Sequence, residues 1–593
     1  HFDDHGVFVS SIVTDKNAVI NIASSISNSG FKDNKFLLRT YITDRAGKKL
    51  SSIATQPINI EAKSQATLHQ KLSLTNPILW DLENPYLYRV VSEIVVADKV
   101  IDQQINKFGV RSIRFDANEG FFLNGKHLKI QGTNNHQDHA GLGSALPDAM
   151  QYYRIDLLKK MGSNAYRTSH NAPTPELLEA CDSLGMLVLD EQRLLNSSNE
   201  YIDQFERLIK RDRNHPSVFI WSIGNEEGWI QTTSIGKRIA QTMLAKQLEL
   251  DPSRTSTYAA DLPNYFKGVN EVIPVRGFNY RHTAVADYHR DHPTQPIMGT
   301  EMGSTVTTRG IYEKDSIRAY VPDQDIIAPW WASRAEDWWK LAAVNNYWLG
   351  GFVWTGFDYR GEPTPYRWPN INSHFGIMDV CGFPKNIYYY YQSWWTDKDV
   401  LHISPHWNWK GKEGKSIDVW VNTNADNVEL FLNGKSLGKK DMPRNSHLQW
   451  LVNYEPGKLE AIAYKKGKRL SSFIETTSEA NKLLIEPSKL ILQADGKDVS
   501  VINITVMDKE GREVPDANQL IEFSLTGDAK IIGVGNGDPS SHEADVCTNG
   551  KWQRNSFNGK CQVIVQSGKT SSGLHFEASS IGLTKARVDL VSK

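Results

Sequence analysis

Between about residue 117 and residue 397, short apolar stretches alternate with stretches of helical pattern, and no other feature limits the fold so strongly. The apolar stretches are Leu128-Ile130, Ala165-Arg167, Leu187-Leu189, Val218-Ile223, Ser256-Tyr258, Val275-Phe278, Ile297-Gly299 and Tyr347-Trp354. Helical patterns such as Tyr153-Met161, Pro175-Leu184 and Ile235-Leu250 lie between several of them. Eight strands in roughly 280 residues predict a closed (β/α)8 TIM barrel.

The flanks follow another rule. Residues 7 to about 113 alternate apolar and polar with period two, as in Ala18-Val19-Ile20-Asn21-Ile22, which predicts an immunoglobulin-like β-sandwich. The same period returns beyond about residue 400, where Val428-Glu429-Leu430-Phe431-Leu432 runs into an Asn433-Gly434 hairpin turn. Asn481-Leu492 opens a further β unit, with Val499-Val506 as a strand. The expected organisation is therefore a sandwich over 1-115, the barrel over 116-398, and two more sandwiches over 399-482 and 483-593.

Composition removes several function classes. The 593 residues carry 67 Lys and Arg against 68 Asp and Glu, so there is no basic excess to hold a phosphate backbone, and nucleic acid is not an expected partner. No apolar run reaches the ~18–20 residues of a membrane-spanning helix. Cys181 and Cys381 read as free and buried, while Cys547 and Cys561 flank a loop, which leaves a disulfide open there. The 17 Trp and 22 Tyr suit either large cores or stacking on sugar faces. The chain opens His1-Phe2-Asp3-Asp4 with neither an initiator Met nor a signal peptide, and reads like the middle of a longer protein. Self-association stays open.

In such a barrel the functional residues sit just after the strands. Gly132-Thr133-Asn134-Asn135-His136-Gln137-Asp138-His139 follows the first strand, Thr168-Ser169-His170-Asn171 the second and Asp190-Glu191 the third. Gly224-Asn225-Glu226-Glu227 follows the fourth, Asn279-Tyr280-Arg281 the sixth, Glu301 the seventh, and Trp354 with Asp358-Tyr359 the eighth. There is no phosphate-binding Gly-rich loop and no G-x-S-x-G elbow. What remains is carboxylates, His, Asn, Tyr and Trp. Glycoside hydrolysis needs two carboxyl groups, one to protonate the leaving oxygen and one to attack the anomeric carbon. Strands four and seven lie across the barrel, which nominates Glu226 and Glu301, with Glu227 as the rival acid.

Arg211-Asp212-Arg213-Asn214-His215-Pro216-Ser217, followed by Trp221-Ser222-Ile223-Gly224-Asn225-Glu226, resembles the acid/base signature of glycoside hydrolase family 2. That family holds β-galactosidases, β-glucuronidases and β-mannosidases, and residues 1 to about 400 are similar to its middle sandwich and barrel. The resemblance implies a retaining exo-β-glycosidase that works through a covalent glycosyl-enzyme. It implies Glu226 as general acid/base and Glu301, in Gly299-Thr300-Glu301-Met302-Gly303, as nucleophile. Asn225 would bond the sugar 2-hydroxyl and Tyr280 the nucleophile, while Arg167, His170, His136 and Trp354 match the pocket lining. Asp358 stands as a further candidate for sugar hydroxyls; Asp190 and Glu191 are expected behind the first layer, and His139 reads as structural or pocket-lining.

Two departures from the family pattern bear on these expectations. The jelly-roll domain that usually leads such proteins is not expected in this chain. Some galactosidases of the family hold magnesium with a Glu and a His soon after strand three, whereas Gln192-Arg193-Leu194-Leu195 stands here, so no metal and no cofactor are expected. Glucuronidases of the family carry an Asn-x-Lys motif, and none stands in Gly361-Glu362-Pro363-Thr364-Pro365-Tyr366 or Gly382-Phe383-Pro384-Lys385-Asn386. The run Trp354-Thr355-Gly356-Phe357-Asp358-Tyr359 looks like β-galactosidases of gut Bacteroidetes type, which implies a β-galactoside substrate and a bacterial, periplasmic or exported protein. Glucuronic acid and mannose are the alternative sugars. A non-catalytic carbohydrate-binding protein is the alternative of another class.

Overall fold

The computed structural model describes residues 1–262 and 266–593. Eight strands close into a parallel barrel in chain order. They are β1 (Ile130–Asn134), β2 (Ala165–Arg167), β3 (Leu187–Glu191), β4 (Val218–Asn225), β5 (Thr255–Ala260), β6 (Val275–Asn279), β7 (Ile297–Met302) and β8 (Trp348–Val353). Their sequences are continuous rather than alternating because both faces are covered: every residue of β3, β4, β6, β7 and β8 is buried. Gly350 of β8 sits at φ +101°, and a Cβ there would lie 2.1 Å from the Ile130 carbonyl, so only glycine lets β8 come this near.

The crossovers include α1 (Asp148–Met161), α2 (Pro175–Leu184), α3 (Asn199–Asp212), α4 (Ser234–Leu250), α5 (Val285–Asp291) and α6 (Ala335–Val344), with α7 (Asn386–Trp395) after β8. Thr174 caps α2 by accepting from the Leu177 N–H, and Thr233 caps α4 by accepting from the Gly236 N–H. The first barrel strand lies later than the expected Leu128-Ile130. Lys126–Leu128 instead completes a small antiparallel sheet with Gly120–Leu123 and Ile113–Asp116. That sheet carries Phe121 into one cluster with Ile130, Leu189, Phe219, Met298 and Leu349, which fills the barrel.

Residues 2–108 form two antiparallel sheets. In Asn17–Asn28, exposed or half-buried residues alternate with buried ones, and Ile20 and Ile22 pack with Leu38, Ile42, Leu72 and Val90. Further along, strands over 401–475 enclose Val419, Leu430, Leu459 and Trp407, and strands over 480–592 enclose Ile502, Ile504, Val563 and Phe576. Cys561 is buried in that last core while Cys547 is exposed, and all four cysteines are free, so the open question of a Cys547–Cys561 bond resolves against it.

By compactness the chain divides into His1–Gly132, Asn164–Glu301 and Asn345–Phe352 as one unit, and Thr133–Ser163, Met302–Val344 and Val353–Lys593 as another. Among the described residues, no helix is long and apolar enough to cross a membrane.

Candidate active site

β2, β3, β4 and β6 deliver their last residues, and β7 its penultimate residue, to one hydrogen-bonded network centred on Arg167. This side chain is fully buried. Its Nε and Nη2 donate to Glu191 Oε2 at 2.8 and 2.6 Å, its Nη2 to Asn225 Oδ1 at 2.8 Å, and its Nη1 to Glu301 Oε1 at 2.8 Å. Tyr280 donates its hydroxyl to the other Glu301 oxygen at 2.9 Å. Asn279 donates Nδ2 to Glu226 Oε1 at 2.8 Å and to Asn225 Oδ1 at 3.2 Å, and is itself oriented by the Thr300 hydroxyl at 2.6 Å. Glu226 and Glu301 therefore hang from the same framework, one through Asn279 and the other through Arg167.

The charge balance separates the two carboxyl groups. One guanidinium serves two buried carboxylates, Glu191 and Glu301. Among the described residues, the third carboxyl group, Glu226, makes no ion pair, and Arg167 acts on it only from a distance. Burial first, and the neighbouring Glu301 second, push Glu226 up to about 8, against the Asn279 hydrogen bond that favours its anion. Burial also acts on Glu191, but Arg167 and His170 outweigh it and leave that carboxyl below its usual value. At neutral pH the site thus holds a protonated acid next to a carboxylate in an ion pair. Such opposed environments are what an acid and a nucleophile require.

The backbone is also held in unusual shapes here. Glu226 has φ +55° and Tyr280 φ +56°, a region costing about 1–3 kcal/mol for a residue with a side chain. The Glu226 N–H is fixed to the Ala259 carbonyl at 3.0 Å, and the Tyr280 N–H to the Glu301 carbonyl.

Glu227, the rival for the acid role, is engaged by other partners. Its carboxylate accepts from the Tyr258 hydroxyl at 2.7 Å and from the Leu195 N–H at 3.0 Å, which ties down the loop that carries Glu226. His170 has Nδ1 2.8 Å from Glu191 Oε1 and Nε2 4.0 Å from Glu301 Oε1, beside the network. Asp190 is buried behind the site, and burial followed by Asp212 pushes its carboxyl well up.

The residues after β1 and β8 form a group of their own. The His136 ring lies 4.1 Å from Tyr359 and 5.5 Å from Trp354, centroid to centroid, and the Trp354 indole N–H donates to the Tyr359 hydroxyl at 3.0 Å. Tyr359 in turn donates to Glu362. Asp358 departs from expectation. Its side chain is buried, one oxygen lies 2.7 Å from Lys385 Nζ, and the other accepts from the Gly376 N–H at 2.8 Å. A carboxylate so engaged is an internal ion pair rather than a sugar ligand. His139 is likewise internal, 2.8 Å from Gln562 Oε1, and burial holds it neutral.

Sequence reasoning passed over Asn279 as a site residue, although it stood next to Tyr280 at the end of β6. It also passed over Arg193, whose Nη1 donates to the Asn225 carbonyl at 2.6 Å. A basic residue directly after the Asp190-Glu191-Gln192 strand end was the available signal. Among the described residues, no group of three or more His, Cys, Asp or Glu is placed to hold a metal ion.

Comparison with known proteins adds four matched segments. Residues 1–111 match the model described as "Glycosyl hydrolases family 2", and residues 116–378 the one described as "Glycosyl hydrolases family 2, TIM barrel domain". Residues 414–471 match a domain of unknown function, and 483–589 "Glycoside hydrolase family 2 C-terminal domain 5". The chain is 35% identical to a protein named β-galactosidase BoGH2A from Bacteroides ovatus, over 99% of this chain and 76% of that one. It is 27% identical to a protein named β-glucuronidase from Formosa agariphila, over 87% of this chain and 53% of that one. The crystal structure of a glycosyl hydrolase family 2 member from Bacteroides cellulosilyticus superposes with a TM-score of 0.90 at 30% identity, over 100% of this chain and 79% of that one.

Proposed function

Since the chain belongs to glycoside hydrolase family 2 and is a β-glycosidase, we propose that it is a retaining exo-acting enzyme that releases terminal β-galactose through a covalent glycosyl-enzyme. Glu226 gives its proton to the glycosidic oxygen as the bond from that oxygen to the anomeric carbon breaks. Glu301 forms an ester to the same carbon from the opposite face. Water then attacks that carbon, gives a proton back to Glu226 and frees Glu301. The net change is addition of one water across the glycosidic bond. Arg167 and Tyr280 each give a hydrogen bond to the nucleophile and fix the direction of its two oxygens.

The observation that supports this reading is the difference in surroundings, with Glu226 buried and pushed up to about 8 while Arg167 holds Glu301 at 2.8 Å. Galactose is preferred because a relative matched over 99% of this chain at 35% identity bears the β-galactosidase name. Glucuronic acid is the second choice, on the β-glucuronidase name of the Formosa relative. The same reading places the work outside the cytoplasm, in the periplasm or beyond, where glycans are met.

Nitrophenyl β-galactoside, β-glucuronide and β-mannoside, assayed side by side, test the sugar. The galactoside should be cleaved best, and a glucuronide or mannoside cleaved tenfold faster would replace it. Two variants test the roles. Glu301→Gln should be nearly inert on every substrate. Glu226→Gln removes only proton transfer, worth about 10²–10⁴-fold. It should show a burst of nitrophenolate, and azide should restore turnover with a β-glycosyl azide as product. An α-azide from Glu226→Gln, or rescue of Glu301→Gln alone, would reverse the two assignments.

A further inference from the structure

A cavity of about 480 Å³ opens beside the catalytic network, and none of the chemistry above uses it. α3 builds one wall. Tyr201, Gln204 and Arg211 recur at helical spacing and so share one face of it, with Arg207 at the rim. His170 after β2 and Arg193 after β3 build the facing wall. The two centres are contiguous. His170 has Nε2 4.0 Å from Glu301 Oε1, and Arg193 is bonded to the carbonyl of Asn225, the residue that precedes the acid.

The chemistry of the lining is one-sided. Among the described residues it includes three guanidinium groups and an imidazole, and no carboxylate. The guanidinium groups also keep donors in reserve. Arg211 gives Nε and Nη2 to Asp212 and Nη2 also to the Pro173 carbonyl, and Nη1 has no protein partner among the described residues. Arg193 gives Nη1 to the Asn225 carbonyl, with Glu227 Oε1 3.9 Å away, and Nε and Nη2 have no protein partner among the described residues. Arg207 makes only an exposed pair with Asp203 at 2.8 Å. A guanidinium with free N–H groups side by side matches two oxygens of a carboxylate or a sulfate ester better than neutral hydroxyls.

We propose that this cavity receives the sugar unit next to the one released, and that it selects a unit bearing a carboxylate or a sulfate ester. This rests on the exo-glycosidase reading, because an exo-acting site closes over the terminal sugar and the substrate continues only on the leaving-group side. The volume lies in the range of small-ligand sites. The substrate class is thus an acidic oligosaccharide with a β-linked terminal sugar.

The test uses the full chain and three disaccharides that share the terminal sugar of the best-cleaved nitrophenyl glycoside. Their second unit is a neutral hexose, a hexuronic acid or a hexose 6-sulfate. At least one charged disaccharide should show kcat/KM about tenfold above the neutral one at low salt, and the preference should shrink as salt screens it. The arm that gains tells carboxylate from sulfate. Arg207→Glu, on an exposed side chain, should cut the charged-to-neutral ratio about tenfold, and Gln204→Glu should act in the same direction. Equal kcat/KM for all three, or a ratio that neither variant moves, would overturn the assignment while the nitrophenyl activity still upheld the glycosidase reading. Absence of any nitrophenyl hydrolysis would overturn both.

Discussion

Replacing Glu226 with glutamine should stabilise the protein at neutral pH and do nothing for it in acid. In the folded chain this carboxyl titrates at about 8, against 4.5 in an unfolded chain. Between those values the native state holds a proton that the unfolded state has released, so stability falls as pH rises through the window. At pH 7 the interval above the unfolded value is about 2.5 pH units, a cost of about 3 kcal/mol; above pH 8 the cost levels off near ~5 kcal/mol. Below about pH 4 both states are protonated and the cost vanishes. Glutamine copies the protonated acid in shape and keeps an oxygen to accept from Asn279 Nδ2. The positive φ at this position is the same for both side chains, so backbone strain cancels in the comparison. Other groups that titrate in this range, such as Asp358 at about 7, cancel as well, because both proteins carry them. Unfolding of wild type and Glu226→Gln, followed from pH 4 to pH 9, should give curves that coincide in acid and separate by about 3 kcal/mol at pH 7. The wild-type kcat/KM should meanwhile fall on its alkaline side near pH 8, as the acid loses its proton. A stability difference that stayed flat with pH, or a variant less stable than wild type at pH 7, would refute the claim that burial and Glu301 hold this proton in place.

Arg167→Met should cost about 3–5 kcal/mol in denaturant unfolding, because it leaves Glu191 and Glu301 buried without their cation, and adding Glu191→Gln should recover part of that stability but no activity. Tyr280→Phe removes one hydrogen bond to Glu301, a contact worth about 1.5–3 kcal/mol of stability, so unfolding should need less denaturant and kcat on the nitrophenyl glycoside should fall; a variant with unchanged kcat would deny Tyr280 a part in holding the nucleophile. Dialysis against EDTA should leave kcat on the nitrophenyl glycoside unchanged, since fixed guanidinium groups at Arg167 and Arg193 supply the positive charge beside Glu301 and Asn225; loss of activity restored by magnesium would contradict this.

The barrel was legible because its strands are buried on both faces and its helices on one, which writes two different periods into the chain. Ala165–Arg167 was placed to the residue, whereas the first strand was placed too early, because Leu128 completes a hairpin and only Ile130 enters the barrel. The positions of Glu226, directly after β4, and of Glu301, near the end of β7, were legible from the strand pattern. The roles of their neighbours were less so, since a strand-end polar residue announces its position and not its partner. Arg167 was expected in the pocket lining and instead has no exposed surface, because Glu191, Asn225 and Glu301 consume its donors. Asp358 looked like a sugar ligand because it follows β8. Its cation, Lys385, lies beyond a loop and also donates to the carbonyl of Thr307, a pairing that local pattern cannot reveal.

The last sandwich shows the same gap between pattern and partner, and suggests why an enzyme would keep so distant a domain. The connection from β7 to α6 carries Arg309, which is buried and gives Nε to Asp379 at 2.6 Å and Nη2 to the carbonyls of Asn536 and Phe557 at 2.9 and 2.8 Å. After β1, His139 meets Gln562, whose amide donates to the carbonyl of Cys381 at 3.0 Å. Met150 of α1 packs in one cluster with Val499, Val501 and Ile564. Three connections, those after β1, β7 and β8, are thus fastened to strands from the C-terminal end of the chain. Loops of this length rarely hold one shape by their own contacts. A buried arginine that satisfies a carboxylate and two carbonyls holds them far better than surface contacts, because breaking such a set strands a charge in the interior. The sandwich over 480–592 therefore braces the connections after β1, β7 and β8.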